Sequence, residues 1–322
     1  MGSRLIAAVL AAQLLTAASV RLIFDTDMGN DVDDALALAV IHALESRGEA
    51  KLLAVTLTKD NPWAAVYVDL VNHFYGRGSI PVGVVRNGKT PDDSKMIRLP
   101  AERRNPDGSL VYPRNIQSGA DAPEAVALLR DILALEKDGD VVIVQVGFST
   151  NLARLLEAAP DLVSRKVRLL SVMAGQFPAG KPEFNVRMDV PAFEKLVNEW
   201  PTPIVMSGFE IGLSILYPAR GIEQDFSYVA HHPVADAYRN YQKMPYDRPA
   251  WDLTSVLQAV RPEGGYFSLS PKGKVRVTAD GVTSFEARRN GRHQYLIAGE
   301  EQRKKALAAL IELASRPPDR LR

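Results

Sequence analysis

The chain contains no cysteine among its 322 residues. That excludes disulfides, thiolate nucleophiles and Cys-based zinc sites. Histidine is also scarce, with five scattered residues and no HExxH spacing, so the sequence does not read as a zinc hydrolase. Neither sign of charge dominates: the net charge is +1 with 24% charged residues, and no basic stripe is interleaved with aromatics. Nucleic acid is therefore not an expected partner. After the first 19 residues, no apolar run approaches the roughly 18 positions a membrane-spanning helix needs. These absences leave small-molecule chemistry, with no nucleic acid and no membrane.

Hydrophobic residues make up 46% of the chain, enough at this length to bury one large α/β core. Residues 1–19, MGSRLIAAVLAAQLLTAAS, carry one early arginine, then an apolar stretch, then small residues. That order reads as a secretory signal peptide cleaved near Ala18. The remainder, 20–322, reads as a single domain located in the periplasm or outside the cell, or in the cytoplasm if the segment is retained. A homo-oligomer is compatible with the sequence.

The most unusual stretch is FDTDMGNDVDDALAL, Phe24 to Leu38. Asp25, Asp27, Asp31, Asp33 and Asp34 fall within ten positions, between a strand-like run (Arg21 to Phe24) and a buried-helix run (Ala35 to Leu44). Crowded carboxylates repel, so a fold that gathers them needs a cation, shared protons or helix-terminal N–H groups. A hard, oxygen-seeking ion such as Ca²⁺ or Mg²⁺ is the first expectation. An EF-hand does not fit. Counting from Asp25, Asn30 stands where that loop wants Gly and Leu36 where it wants Glu.

Downstream, strand-like runs alternate with helical ones. Lys51 to Leu57, Ile80 to Val85, Asp140 to Val146, Val167 to Met173 and Pro203 to Met206 read as strands. Pro62 to Tyr75 and Asp121 to Glu136 read as helices, the second capped by Asp121. Thr90 to Ala120 is polar and rich in Pro, Gly and Asn, which predicts a long lid loop. Further helix is expected around Ser227 to Tyr241 and beyond Trp251. Gly265 to Leu296 alternates between Gly turns as a small antiparallel meander, before a last helix over Glu300 to Ala314.

At DTDMGNDVDDALAL the sequence resembles the N-terminal signature of the inosine-uridine-preferring nucleoside hydrolases, usually DxDxGxDDAxA, with two extra residues before the closing pair. Three later segments extend the likeness. Gly147-Phe148-Ser149-Thr150-Asn151 is similar to the family's GPLTN turn, Glu183-Phe184-Asn185 to its EFN segment, and Asp252 to its distal metal aspartate. The resemblance implies an α/β fold with a mostly parallel central sheet and helices on both faces, joined to the C-terminal meander. It implies Ca²⁺ held by Asp27, Asp34, Asp252 and the Thr150 carbonyl. It also implies a ribonucleoside substrate contacted by Asn61, Met173, Glu183 and Asn185, with hydrolysis of its N-glycosidic bond to ribose and free base. Either Asp33 or Asp31 would be the general base, and the unbroken DDALAL register favours Asp33. Where many relatives have His before the distal Asp, this chain has Trp251, which would stack on the base or wall the pocket.

Two other readings stay open on the residues alone. Asp25-Thr26-Asp27 after a strand resembles the DxD of haloacid-dehalogenase-type phosphatases, with Asp25 as nucleophile, although Gly29 stands where that signature wants Thr or Val. The missing histidine also allows a non-catalytic, calcium-dependent nucleoside or sugar binder.

Overall fold

The computed structural model describes residues 18–321. The signal-peptide reading falls almost wholly outside them. Among the described residues twelve strands are formed: β1 (Val20–Thr26), β2 (Ala50–Lys59), β3 (Val82–Lys89), β4 (Val141–Gln145), β5 (Val167–Met173), β6 (Ile204–Ser207), β7 (Leu216–Tyr217), β8 (Arg248–Pro249), β9 (Ser268–Leu269), β10 (Gly273–Val277), β11 (Thr283–Ala287) and β12 (His293–Ile297). The main sheet has the order β11-β10-β12-β6-β5-β4-β1-β2-β3, with β9 paired to β12. From β6 through β3 every pairing is parallel.

Parallel strands need crossovers, and crossovers cover both faces of the sheet, so the inner strands are apolar on both sides. In β1, Leu22 and Phe24 join one core while Ile23 joins the other; in β4, Val142 and Val144 oppose Val141 and Ile143. The helices Asp33–Ser46, Ala64–Phe74 and Trp251–Val260 close the first face, and Ala125–Leu135, Thr150–Ala158 and Val190–Glu199 the second. Helix Asp33–Ser46 is buried from Asp33 through Leu44, as its continuous apolar run requires.

The chain winds outward from β1 through β2 to β3, then returns to add β4, β5 and β6 on the other side of β1. The adjacent strands β1 and β4 therefore mark the switch point, outside whose carboxyl ends α/β sheets form their ligand crevice. Asp25 and Thr26 end β1, and Val146 follows β4.

Two expectations change, and the expected antiparallel meander is found with an added connection. Residues 90–120 are not one structureless loop: Lys95–Glu102 is helical, burying Met96, Ile97 and Ala101, and Gly119–Asp121 is a short 3-10 turn. Pro100 inside the short helix hides its period from the sequence. Asp121 sits in that turn, and Glu124 caps the following helix by accepting from Ala127 N. The C-terminal meander is fused to the sheet, because β12 pairs parallel with β6 while β10 and β11 continue antiparallel beyond it.

Candidate active site

Helices Asp33–Ser46 and Trp251–Val260 pack against each other, and each carries acidic residues in its first turn. Their N-termini meet at the switch point. There Asp33, Asp34 and Asp252, all buried, bring one carboxylate oxygen each to within 4.8 Å of one another. Thr26 Oγ1 donates to Asp34 Oδ1, while Asp34 Oδ2 is buried and has no hydrogen-bond partner among the described residues. The backbone N–H of Asp252 donates to Asp33 Oδ2 at 3.1 Å.

An apo cluster of this kind resists ionisation. Burial, then the charges of Asp27 and Asp33, push Asp34 well above the usual carboxylate range. Burial and then Asp31 do the same to Asp33, and burial followed by Asp33 and Asp34 to Asp252. Burial pushes Asp27 up to about 7, against a hydrogen bond from Asn30. A divalent cation would relieve all four, and the unpartnered Asp34 oxygen and an all-oxygen donor set fit a hard ion.

The cavity over the cluster measures about 280 Å³, near the lower end of small-ligand clefts. Asp27, Asp31, Asp33, Asp34 and Asp252 line its acidic floor, and Met173, Glu183, Asn185 and Trp251 its other walls. Glu183 caps the helix Phe184–Met188, accepting from Asn185 N at 2.9 Å and from Val186 N at 3.2 Å. Asn185 Nδ2 donates to Val146 O at 2.7 Å and to Met173 O at 3.1 Å. The EFN segment thus ties the ends of β4 and β5 together behind the cavity.

Two predicted residues are not brought there. Thr150 lines a separate cleft with Lys89 and Arg154, and its hydroxyl donates to Asp189. From the same turn it is Val146 that lines the aspartate cavity. Asn61 spends its amide on the Pro91 and Asp92 carbonyls at 3.2 and 2.9 Å, and its Oδ1 accepts from Trp63 N at 2.9 Å. It ties the 91–92 loop to the turn that leads into helix Ala64–Phe74.

Several wall residues were not singled out by the sequence: Asn30, Phe184, Phe209 and, as a ligand, Tyr241. Trp251 is stacked on Phe209 with centroids 5.4 Å apart and donates from Nε1 to Phe209 O at 2.9 Å. The Arg248 guanidinium lies 5.2 Å from the Trp251 ring centroid and 5.1 Å from that of Tyr241. It forms a two-pronged ion pair with Asp31, with Nε to Oδ1 at 2.9 Å. Trp251 is therefore a fixed wall. Asp25 stays out of the cavity: it is fully buried, with Oδ1 accepting from Thr56 Oγ1 at 2.6 Å and Asn151 Nδ2 at 2.9 Å. That leaves it no approach to a phosphoryl group.

The family model for inosine-uridine preferring nucleoside hydrolases matches residues 22–311. The chain belongs to this family. Membership places it among hydrolases acting on N-glycosyl bonds, and the four sequence segments that carried the resemblance all lie within the match. A plant nucleoside hydrolase aligns over 92% of this chain and 99% of its own, at 21% identity and a TM-score of 0.70. The purine-preferring ribonucleoside hydrolase of Gardnerella vaginalis aligns over 92% and 99%, at 19% identity and a TM-score of 0.68. At these identities the likeness carries the fold. An uncharacterised protein of Schizosaccharomyces pombe (strain 972 / ATCC 24843) is 28% identical over 209 residues, which is 59% of this chain and 61% of that protein.

Proposed function

We propose that this protein hydrolyses the N-glycosidic bond of ribonucleosides with Ca²⁺ as its cofactor, giving ribose and free base. The observation that carries the reading is the meeting of Asp33, Asp34 and Asp252 below a cavity walled by polar and aromatic side chains. These three would hold the cation, joined by the Val146 carbonyl in place of Thr150. Bound there, a divalent ion lowers the pKa of a water and orients hydroxyl groups.

The rest of the site divides the work. Asp27 lines the cavity outside the three-carboxylate cluster, so the proton-accepting role falls to it rather than to Asp33. Asp31 is committed to Arg248 and is not free to accept a proton. Asn185 and Glu183, held by the backbone contacts above, would meet ribose hydroxyls. Such contacts tighten as the sugar flattens toward an oxocarbenium-like state and so lower the barrier. Trp251, Phe184, Phe209 and Tyr241 offer the apolar surface a nucleobase needs. The signal-peptide reading places this activity in the periplasm or outside the cell.

The test is incubation of calcium-loaded protein with a nucleoside panel, reading free base, reducing sugar and, as a control, phosphate from phosphomonoesters. Base release that stops with chelator and returns with Ca²⁺ is expected. Asp27→Asn should lose turnover and keep terbium binding, whereas Asp33→Asn should lose both. Binding of nucleosides without release would leave a calcium-dependent binder, and phosphate release would point to the phosphatase reading.

A further inference from the structure

Lys59, the last residue of β2, is buried despite its charge. Lysines are seldom buried unless paired, yet no carboxylate among the described residues lies within ion-pair distance of this one. Its Nζ instead donates to Asn30 Oδ1 at 2.9 Å and to Thr90 O at 2.7 Å. Asn30 Nδ2 in turn donates to Asp27 Oδ2 at 2.8 Å and to Thr90 Oγ1 at 3.0 Å.

An ammonium can only donate, so Asn30 has to turn its oxygen toward Lys59 and its N–H groups toward Asp27 and Thr90. Lys59 thereby decides which way the amide faces. One oxygen of Asp27 is occupied by that amide, and the other is left to take a proton. Thr90 has a φ of 50°, the left-handed region that a β-branched residue rarely adopts, and both its carbonyl and its hydroxyl end in this network. The same cation therefore anchors the start of the segment leading to helix Lys95–Glu102. Asn30 stands in the part of the signature that is longer than the usual form of the family.

We propose that Lys59 is a positioning residue, acting through Asn30 to hold Asp27 in its proton-accepting orientation and to fix the 90–102 segment against the cleft. It rests on the base role assigned to Asp27 above.

The experiment is a double-mutant cycle with Lys59→Met and Asn30→Leu, in the calcium-loaded protein with a ribonucleoside substrate. Each single variant should lower kcat by roughly tenfold to a hundredfold, as expected for a slightly misplaced group, with little change in KM. The double variant should lose no more than the worse single one, because both changes break one unit. Lys59→Gln, which keeps a donor, should recover part of the loss. Losses that multiply in the double variant, or a change confined to KM, would overturn the proposal; the latter would make Lys59 a substrate contact in the neighbouring cleft it lines. Backbone hydrogen exchange over residues 90–97 supplies a readout independent of turnover. Exchange that is faster to the same extent in Lys59→Met, Asn30→Leu and the double variant supports the anchoring. Exchange unchanged in Lys59→Met overturns it, even if the wild-type protein releases no base.

Discussion

Calcium should stabilise this protein more at pH 7 than at pH 5, because each carboxylate the ion keeps charged must first give up a proton. Asp27 supplies the magnitude. Its folded pKa lies at about 7 without metal, above the unfolded value of about 3.8. The apo fold therefore binds more protons than the unfolded chain between those values, and this group's contribution to apo stability falls as pH rises through 7. With the cation bound the carboxylate stays ionised, so the gain from binding grows with pH. From pH 5 to pH 7 a group of pKa near 7 adds about 2 kcal/mol to that gain, at about 1.4 kcal/mol per unit less the partial ionisation already present at pH 7. Asp33, Asp34 and Asp252 shift in the same direction and add to it. At about 2.1 cal/mol/K per residue the unfolding entropy of 322 residues is about 0.7 kcal/mol/K, so Asp27 alone makes the calcium-induced rise in Tm about 3 °C larger at pH 7 than at pH 5. The buried His42 and His232, both pushed down to about 3 by burial, change apo stability in the opposite sense. They lie outside the cavity and cancel in the difference between calcium and chelator. Thermal melts in both buffers at pH 5, 6 and 7 measure the effect. An increment equal at all three pH values would show that no proton leaves on binding, and would refute a cation held by Asp33, Asp34 and Asp252 with Asp27 charged beside it.

Gly147 admits no side chain, since a Cβ there would lie 2.6 Å from the backbone N of Asp27 and 2.3 Å from Thr58 Oγ1. Gly147→Ala is expected to cost about 1–3 kcal/mol of stability by overpacking and to lower turnover by displacing Asp27, read by urea denaturation and kcat/KM. Thr150→Val removes the hydroxyl bond to Asp189 and should cost about 1 kcal/mol while leaving calcium affinity unchanged by calorimetry. No loss of stability would show that the Asp189 contact does not hold this turn.

The local sequence carried much of the fold, and the reason is periodicity. The strand predicted over Val167 to Met173 and the helix over Glu300 to Ala314 have those bounds in the structure, and the buried run after Asp34 is the buried helix. The helix at Lys95–Glu102 escaped because eight residues containing Pro100 show too little period. The attachment of β12 to β6 escaped because pairing between distant strands leaves no mark on either one alone.

The site divides in the same way. The residue types needed for the chemistry were legible along the chain: the aspartate-rich signature, the EFN segment and a lone acidic residue at the head of an apolar helix. Which of them meet was settled by folding. It set Asp252 beside Asp33 and Asp34 through the packing of two helices, took Thr150 and Asn61 out of the cavity by giving their polar atoms other partners, and put Val146 there instead. A side chain's chemistry is written in its identity, but its partners depend on how far the chain turns between residues remote in sequence. That turn is fixed by packing across the whole core.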